Sequence, residues 1–313
     1  MEFRRLGNSD LDVSVVGLGG NTFGQPRLDR AASIDCIRKA SERGVNIIDT
    51  ALIYGAGESE TYIGEAICGH RKDWIVATKF NFFAMGEGET VGERISKQCE
   101  ESLRKLGTDY IDLYQIHMPA AGIREEEILE AQAGLVSSGK VRWIGECNYA
   151  SWRHAEANGI AEAHGWPQMV SAQNHYSLLH RQVEIETLPF CRERNVGFLP
   201  YHPLAGGFLA DKYVKGEAAP EGTRGAAGSP IVTNSRTPQN EDMQDALKTW
   251  ARERGHTLAE LAFAWLLARP EVTSIVAGVS SPAQVEMNVR GGSWVLSQQE
   301  KEEIDKIASP SGR

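Results

Sequence analysis

The sequence lacks several features that define large classes of proteins. Its longest apolar stretch, residues 258–268, is too short to span a bilayer. The opening residues, MEFRRLGNSDLDV, carry charges and contain no apolar core of signal-peptide length. An excess of positive charge is also missing, because 42 acidic residues outnumber 33 basic ones and the net charge is −9. We therefore expect a cytoplasmic protein that binds neither nucleic acid nor membranes.

Paired cysteines and clustered histidines are scarce as well. The cysteines are odd in number and include no C-x-x-C pair; they are Cys36, Cys68, Cys99, Cys147 and Cys191. This spacing argues against a disulfide framework and against a structural zinc site. The chain also contains no H-x-H pair of the kind that barrel metallohydrolases carry after their first strand. No metal site is predicted.

What is present is a regular alternation of two patterns. Of the 313 residues 41% are hydrophobic and 24% charged, which is an ordinary globular composition. Short apolar or β-branched runs alternate with longer amphipathic stretches, and this order predicts a parallel sheet with helical crossovers. Strands are expected at 15–18, 45–49, 74–79, 111–117, 141–147, 169–174, 196–201 and 274–277. Eight such units fit a TIM barrel of ~250 residues plus insertions, with a doubly wound sheet as the structural alternative.

The segments between the strands complete this prediction. The clearest helical patterns lie at 30–43, 59–68, 90–106, 124–138, 151–164, 183–194 and 258–268. A turn at residues 7–10 between two short runs predicts an N-terminal β-hairpin that could close the barrel floor. Residues 206–240 show no convincing period and are rich in Gly, Pro and Ala, so we expect a long functional loop. The whole chain, 1–313, is expected to form one domain.

The glycine-rich segment at 17–24 is a poor match to a dinucleotide-binding fingerprint. The third glycine of G-x-G-x-x-G would fall on Thr22, and Pro26 interrupts before the first helical pattern begins near Arg30. A flexible loop after the first strand is the preferred interpretation.

Ionisable residues stand at the ends of three predicted strands, where barrel active sites are built. Asp49, Lys79 and His117 end the second, third and fourth strands, and Tyr54 follows Asp49 on the next loop. Each residue alone has a structural explanation, such as a helix cap for Asp49 or a core hydrogen bond for His117. Together they are harder to dismiss, because aspartate and lysine are almost never buried unless paired.

The four residues suit the reduction of a carbonyl group. A tyrosine of pKa ~10 is a weak acid at neutral pH, and a neighbouring lysine ammonium lowers that pKa. Lys79 would act in this way on Tyr54, and Asp49 would hold Lys79 in place. His117 could donate to the carbonyl oxygen and orient the substrate.

The motifs that contain these residues closely resemble the aldo-keto reductase superfamily. The matching runs are GVNIIDTALIYGAGESETYIGEAI, VATKF, DLYQIHM, WIGECNYA, SAQNHYSLL, LPYHPLAGGFL and VAGVSSPAQVEMN. They cover nearly the whole chain in order. The resemblance implies a TIM barrel that binds NAD(P)H without a Rossmann domain, with long loops at the carboxyl ends of its strands. It also implies that Asp49, Tyr54, Lys79 and His117 are the catalytic residues and that Tyr54 exchanges the proton.

The resemblance implies a cofactor site as well. Asn148 and Gln173 would bind the nicotinamide amide, Tyr201 would stack on its ring, and Gly20 and Asn21 would lie on the ribose side. The other residues implied are Asp49, Cys147, His202, Pro203, Leu204, Ala205, Gly206, Lys212, Arg224, Gly278, Ser280, Gln284 and Asn288. Cys147 and His202 stand where the family usually has serine.

Lys212 and Arg224 resemble the residues that contact the extra phosphate in NADPH-binding relatives, so NADPH/NADP is the expected cofactor. NADH/NAD stays possible, because Gly278 and Gln284 occupy places where many relatives have Lys or Arg.

The expected substrate is a small carbonyl compound or alcohol, in a pocket formed by Phe23, Tyr54, Phe80, Phe82 and His117. Packing of the phenylalanines in the core or a loop is an equal alternative. Two other functions are open: an NAD-dependent dehydrogenase of sugars or alcohols, and a cofactor-loaded regulatory subunit like the channel β-subunits of this superfamily. The channel-associated members lack the histidine corresponding to His117. The sequence predicts no oligomeric state.

Overall fold

The computed structural model describes residues 1–309, and this range contains ten β-strands and eleven α-helices. The strands are β1 (Phe3–Arg5), β2 (Asp12–Ser14), β3 (Val16–Gly19), β4 (Ile47–Asp49), β5 (Ile75–Phe80), β6 (Ile111–Ile116), β7 (Val141–Cys147), β8 (Met169–Gln173), β9 (Gly197–Phe198) and β10 (Ile275–Gly278). The helices are α1 (Arg30–Glu42), α2 (Ser59–Ile67), α3 (Val91–Leu106), α4 (Glu125–Ser137), α5 (Ser151–His164), α6 (Thr187–Arg194), α7 (Pro230–Thr233), α8 (Pro238–Arg252), α9 (Leu258–Leu267), α10 (Pro282–Gly291) and α11 (Gln298–Ile307).

Strands β3 to β10 form one parallel sheet in the order β10-β3-β4-β5-β6-β7-β8-β9. The two edge strands also meet, because Tyr201 bridges Val276 and Phe198 bridges Val272. Backbone hydrogen bonds of 2.9 Å, from Thr273 N to Phe198 O and from Val276 N to Pro200 O, close the sheet. The predicted (β/α)8 barrel is therefore confirmed, and the doubly wound alternative is excluded.

The predicted N-terminal hairpin closes the floor of the barrel. Strands β1 and β2 pair antiparallel, with Phe3 opposite Ser14. Buried Leu6, Leu11 and Val13 pack against inward-facing residues of the barrel: Ile47, Ala77, Leu113, Val170, Leu199 and Val276. At Gly7, φ is +53° and a Cβ atom would lie 2.4 Å from a backbone carbonyl, so only glycine fits this turn.

Local capping signals explain why several helices begin where they do. In α3, the Thr90 side chain accepts from the Glu93 N–H, and the Glu93 carboxylate accepts from the Thr90 N–H. Thr257 and Glu260 cap α9 in the same way. The α3 helix is capped at its C-terminus by Gly107, whose φ of 60° is left-handed.

The differences from the sequence prediction are local. The predicted loop 206–240 contains α7 and the first residues of α8. Strand β9 is short, since Pro200 has no N–H with which to extend the ladder. Helices α7, α8, α10 and α11 were not predicted; in α11 only the Ile304 side chain is completely buried. No helix in residues 1–309 is both long and apolar enough to cross a membrane.

Candidate active site

A cavity of about 950 Å³ lies at the carboxyl ends of the barrel strands. Its lining includes residues at or just beyond the ends of five strands: Gly19, Asp49, His117, Cys147 and Gln173. Loop residues that follow β9, among them Gly206 and Arg224, line it as well. The cavity is therefore the place where the predicted site residues meet.

A buried ion pair lies beneath the cavity. The Lys79 ammonium donates to Asp49 Oδ2 at 2.6 Å and to the Thr50 carbonyl at 2.8 Å. Lys79 is 0% exposed and Asp49 3%. Burial favours the neutral amine of Lys79, but the Asp49 carboxylate opposes it and the pKa of Lys79 is raised. Lys79 therefore carries a positive charge inside the barrel.

The half-buried side chain of Tyr54 lies above this pair, at the cavity. Lys79 Nζ is 5.2 Å from the centroid of the Tyr54 ring. Burial raises the pKa of Tyr54, and the Lys79 charge lowers it. Burial is the larger effect, so the pKa of Tyr54 is raised. The sequence prediction named the right interaction, but its expectation of a lowered pKa was wrong because it left out burial.

His117 lies within hydrogen-bonding distance of the Tyr54 hydroxyl. Nε2 of His117 lies 3.3 Å from the hydroxyl oxygen. Burial and the Lys79 charge lower the pKa of His117 to about 3. Its imidazole is therefore neutral at physiological pH and has one N–H to donate.

Of the residues predicted to bind a cofactor, all but Ala205 line the cavity. Ala205 is 2% exposed and packs in the core. The lining residues are Gly20, Asn21, Asp49, Cys147, Asn148, Gln173, Tyr201, His202, Pro203, Leu204, Gly206, Lys212, Arg224, Gly278, Ser280, Gln284 and Asn288.

The amides of the cavity floor are hydrogen-bonded to their neighbours. Gln173 Nε2 donates to Asp49 Oδ1 at 2.9 Å, and its Oε1 accepts from the Cys147 thiol at 3.5 Å. Tyr201 donates from its hydroxyl to Asn148 Oδ1 at 2.7 Å. The floor is thus preorganised by bonds within the protein.

The outer part of the cavity carries positive charge. Arg27, Lys212 and Arg224 line it, whereas Asp49, already paired with Lys79, is the only carboxylate among the lining residues that the structure describes. Within residues 1–309, neither arginine side chain makes a hydrogen bond or an ion pair. Burial, and then the charge of Arg27, lowers the pKa of Arg224. In a chain of net charge −9, such a group of unpaired cations fits an anionic ligand.

Sequence reasoning missed Arg27. It belongs to the loop after β3, where no periodic pattern or familiar motif marks it. A basic residue near the glycine-rich segment was the only available signal.

The structure corrects the predicted substrate pocket. Phe23 and Phe80 are 0% exposed and pack in the core, and Phe82 packs against Phe80 with ring centroids 5.8 Å apart. None of the three lines the cavity. The reason for Phe80 is the alternation of side chains along β5: because Lys79 points into the barrel, Phe80 points outward to the helices.

Other apolar residues stand at the mouth of the barrel. Met118 lines the cavity, the loops after β4 and β5 expose Ile53 and Phe83, and the first turn of α5 exposes Trp152. Trp152 is 63% exposed.

The fold and the site define a (β/α)8-barrel protein in which a buried ion pair, a phenol and a neutral imidazole converge on one large cavity. The model of the aldo/keto reductase family matches residues 15–309, and the chain belongs to this family. Its members are oxidoreductases that use NAD(P)H.

Named relatives match over almost their full length. The aldo-keto reductase AMT2 of Alternaria alternata is 32% identical, with 99% of this chain and 93% of the relative aligned. A versiconal hemiacetal acetate reductase of Aspergillus parasiticus is 30% identical, with 99% and 97% aligned. A putative voltage-gated potassium channel subunit beta of Schizosaccharomyces pombe is 31% identical, with 97% and 92% aligned.

Proposed function

We propose that the protein is an NAD(P)H-dependent oxidoreductase that interconverts aldehydes or ketones and alcohols, with Tyr54 as the general acid and base. The observation that supports this most directly is the position of the Tyr54 hydroxyl. It lies at the cavity, 3.3 Å from neutral His117 and close to the buried Lys79 ammonium.

The cavity residues fit a dinucleotide cofactor. The volume of about 950 Å³ and the unpaired cations suit a large ligand that carries phosphate. Asn21 Oδ1 is buried without a hydrogen-bond partner in the described residues, and a Cβ atom on Gly278 would come within 2.6 Å of it. A glycine therefore keeps this part of the cavity open.

Each part of the cofactor has candidate partners. Asn148, Gln173 and Tyr201 would hold the nicotinamide. Lys212 and Arg224 would bind phosphate, and Ser280, Gln284 and Asn288 would hold the adenosine end. When bound, the cofactor supplies or accepts the hydride.

The protein's own residues handle the proton. In reduction, Tyr54 donates its hydroxyl proton to the carbonyl oxygen, and the Lys79 charge stabilises the resulting phenolate. Asp49 keeps Lys79 charged and in place. The neutral His117 donates its N–H to the same carbonyl oxygen and orients the substrate. In alcohol oxidation, Tyr54 accepts the proton instead.

We infer further that NADPH is preferred over NADH. Lys212 and Arg224 support this preference, since a guanidinium binds a phosphate group through charge-assisted hydrogen bonds. Gly278 and Gln284 weigh against it because they add no charge near the adenosine end. An NAD-dependent dehydrogenase of sugars or alcohols is therefore the competing outcome.

The relative named as a channel β-subunit favours a second candidate, a cofactor-loaded regulatory protein. His117 weighs against it, since a regulatory subunit does not require a donor beside the phenol.

A substrate screen tests the proposal. Aldehydes, ketones, sugars and secondary alcohols would be supplied with each cofactor while the absorbance of the reduced nicotinamide is followed. We expect turnover with at least one carbonyl compound that is lost in Tyr54→Phe. Tight cofactor binding without turnover of any compound would favour the regulatory candidate.

A further inference from the structure

Three side chains donate to the Asp49 carboxylate: those of Lys79, Gln173 and Gln115. The proposed chemistry does not use Gln115. Asp49 Oδ2 faces Lys79, and Asp49 Oδ1 accepts from Gln173 Nε2 at 2.9 Å and from Gln115 Nε2 at 3.3 Å. Because a carboxylate only accepts hydrogen bonds, the atom of Gln115 that faces it is the amide nitrogen.

Gln115 belongs to the same layer of the barrel interior as Lys79. The two residues are partners in the ladder between β5 and β6, so their side chains point inward side by side. On its other side Gln115 pairs with Gly145, which has no side chain to displace it. The ladder therefore aims the Gln115 amide at Asp49.

The burial of the Gln115 amide lowers the stability of the folded protein. Gln115 is 0% exposed, and its Oε1 has no hydrogen-bond partner among the described residues. A buried amide with one bond out of several satisfied is worse for stability than an apolar side chain of the same size. Within residues 1–309 the hydrogen bond to Asp49 is the one that the Gln115 side chain makes, and it accounts for a polar residue here.

We propose that Gln115 is a positioning residue for the ion pair. It and Gln173 hold the Asp49 carboxylate in the orientation in which Oδ2 meets Lys79. This pairing sustains the Lys79 charge, and that charge assists the ionisation of Tyr54. The inference rests on the proposed function, and it assigns to Gln115 no contact with substrate or cofactor, because Gln115 does not line the cavity.

The effect of Gln115 on the ion pair can be tested without disturbing the cavity, which is not possible for Gln173. Gln173 lines the cavity and would also contact the nicotinamide, so its substitution would mix two effects. Gln115 contacts Asp49 without lining the cavity, so its substitution should leave cofactor binding unchanged.

The test compares Gln115→Met with Gln132→Met. Methionine keeps the length of the side chain and removes the N–H donor. Gln132 is a matched control, since it is also 0% exposed, has an unpartnered Oε1, and donates only to the Tyr114 carbonyl at 3.4 Å.

We expect kcat of Gln115→Met to fall roughly ten- to a hundredfold. The free energy of a hydrogen bond to a charged group corresponds to a factor of about this size. The cofactor dissociation constant should change by less than about twofold. In alcohol oxidation, the pH of half-maximal rate should rise by about one unit, because a less stabilised ammonium assists the phenolate less. Gln132→Met should show neither change.

A second variant restores a hydrogen-bond donor to Asp49 only at low pH. Gln115→Glu keeps the shape and offers an O–H to Asp49 only when its carboxyl is protonated. Its activity relative to the wild type should therefore increase as the pH falls. This pattern is not expected from a loss of packing.

A third measurement needs no turnover. In cofactor-free protein with ring-labelled tyrosine, carbon NMR reports the ionisation of Tyr54, assigned through Tyr54→Phe. The pKa of Tyr54 should be higher in Gln115→Met than in the wild type or Gln132→Met. An equal pKa and equal kinetics in the two methionine variants would overturn the inference. A wild type without turnover would refute only the proposed function, because the NMR comparison still decides the role of Gln115.

Discussion

The hydroxyl oxygen of Tyr54 lies 3.3 Å from Nε2 of His117, and the two rings meet edge to face with centroids 5.5 Å apart. The residues stand 63 positions apart in the chain, on loops that follow β4 and β6. A carbonyl oxygen at this point of the cavity would reach a phenol and an imidazole together.

Replacing Tyr54 by phenylalanine should abolish turnover and leave cofactor binding intact. The change removes the transferable proton and keeps the ring. We expect kcat to fall by ~10²–10⁴-fold, as for the loss of a positioned acid. Steady-state kinetics and a tryptophan-fluorescence titration of the cofactor measure the two effects. Tyr62→Phe, on α2 and outside the cavity, is the control, and residual activity above about a tenth of wild type would contradict the role of Tyr54.

Lys79→Met should lower activity and shift its pH profile. Without the ammonium the pKa of Tyr54 is no longer lowered by a neighbouring charge, so the apparent pKa in any residual activity should rise. Breaking the buried pair should also destabilise the protein by about 3–5 kcal/mol.

The double variant Asp49→Asn with Lys79→Met separates these effects. It removes both charges, so thermal unfolding should show much of the stability restored while activity stays low. An unchanged apparent pKa in Lys79→Met would disprove the coupling between Lys79 and Tyr54.

NADPH should bind more tightly than NADH, by roughly ten- to a hundredfold if a guanidinium contacts the extra phosphate. Arg224→Ala should reduce NADPH affinity more than NADH affinity. Arg27→Ala tests whether the second unpaired guanidinium takes part. Lys215→Ala is a matched control, because Lys215 lies in the same loop, pairs with Asp242 and does not line the cavity. Equal affinities of the wild type for both cofactors would refute the preference.

Acid should destabilise the protein through a cluster of histidines beside the cavity. His175 stacks on His180 with ring centroids 4.1 Å apart, and on Tyr201 at 5.5 Å. Burial, then the charges of His180 and His202, lowers the pKa of His175 to about 3. Burial, Arg224 and Arg27 lower that of His202 to about 4.

Histidines with lowered pKa values take up protons more readily in the unfolded chain. Stability is therefore retained above about pH 6.5 and lost as the pH falls toward 4, at up to about 1.4 kcal/mol per pH unit for each such residue. Thermal unfolding between pH 7 and 4 measures the slope. It should be smaller in His175→Phe, which keeps the stacking. A slope in His175→Phe equal to that of the wild type would contradict the assignment to this cluster.

The sequence carried enough information to predict the barrel and its four central residues. All eight predicted barrel strands are present, since each is a local apolar run whose ends are marked by caps and glycines. The convergence of Asp49, Lys79 and His117 followed from their positions at strand ends. In a parallel barrel the carboxyl ends of all strands lie on one face, so chain position alone brings such residues together.

The sequence could not determine in which direction each side chain points or how deeply it is buried. Lys79 and Phe80 are adjacent in the chain, yet one points into the barrel and the other into the helical layer, so the predicted role of Phe80 in the pocket was wrong. The contact of Gln115 with Asp49 joins residues 66 positions apart and exists only once β4, β5 and β6 are in register. The raised pKa of Tyr54 has the same origin, because desolvation is a property of the closed barrel and is not encoded in any local segment of the chain.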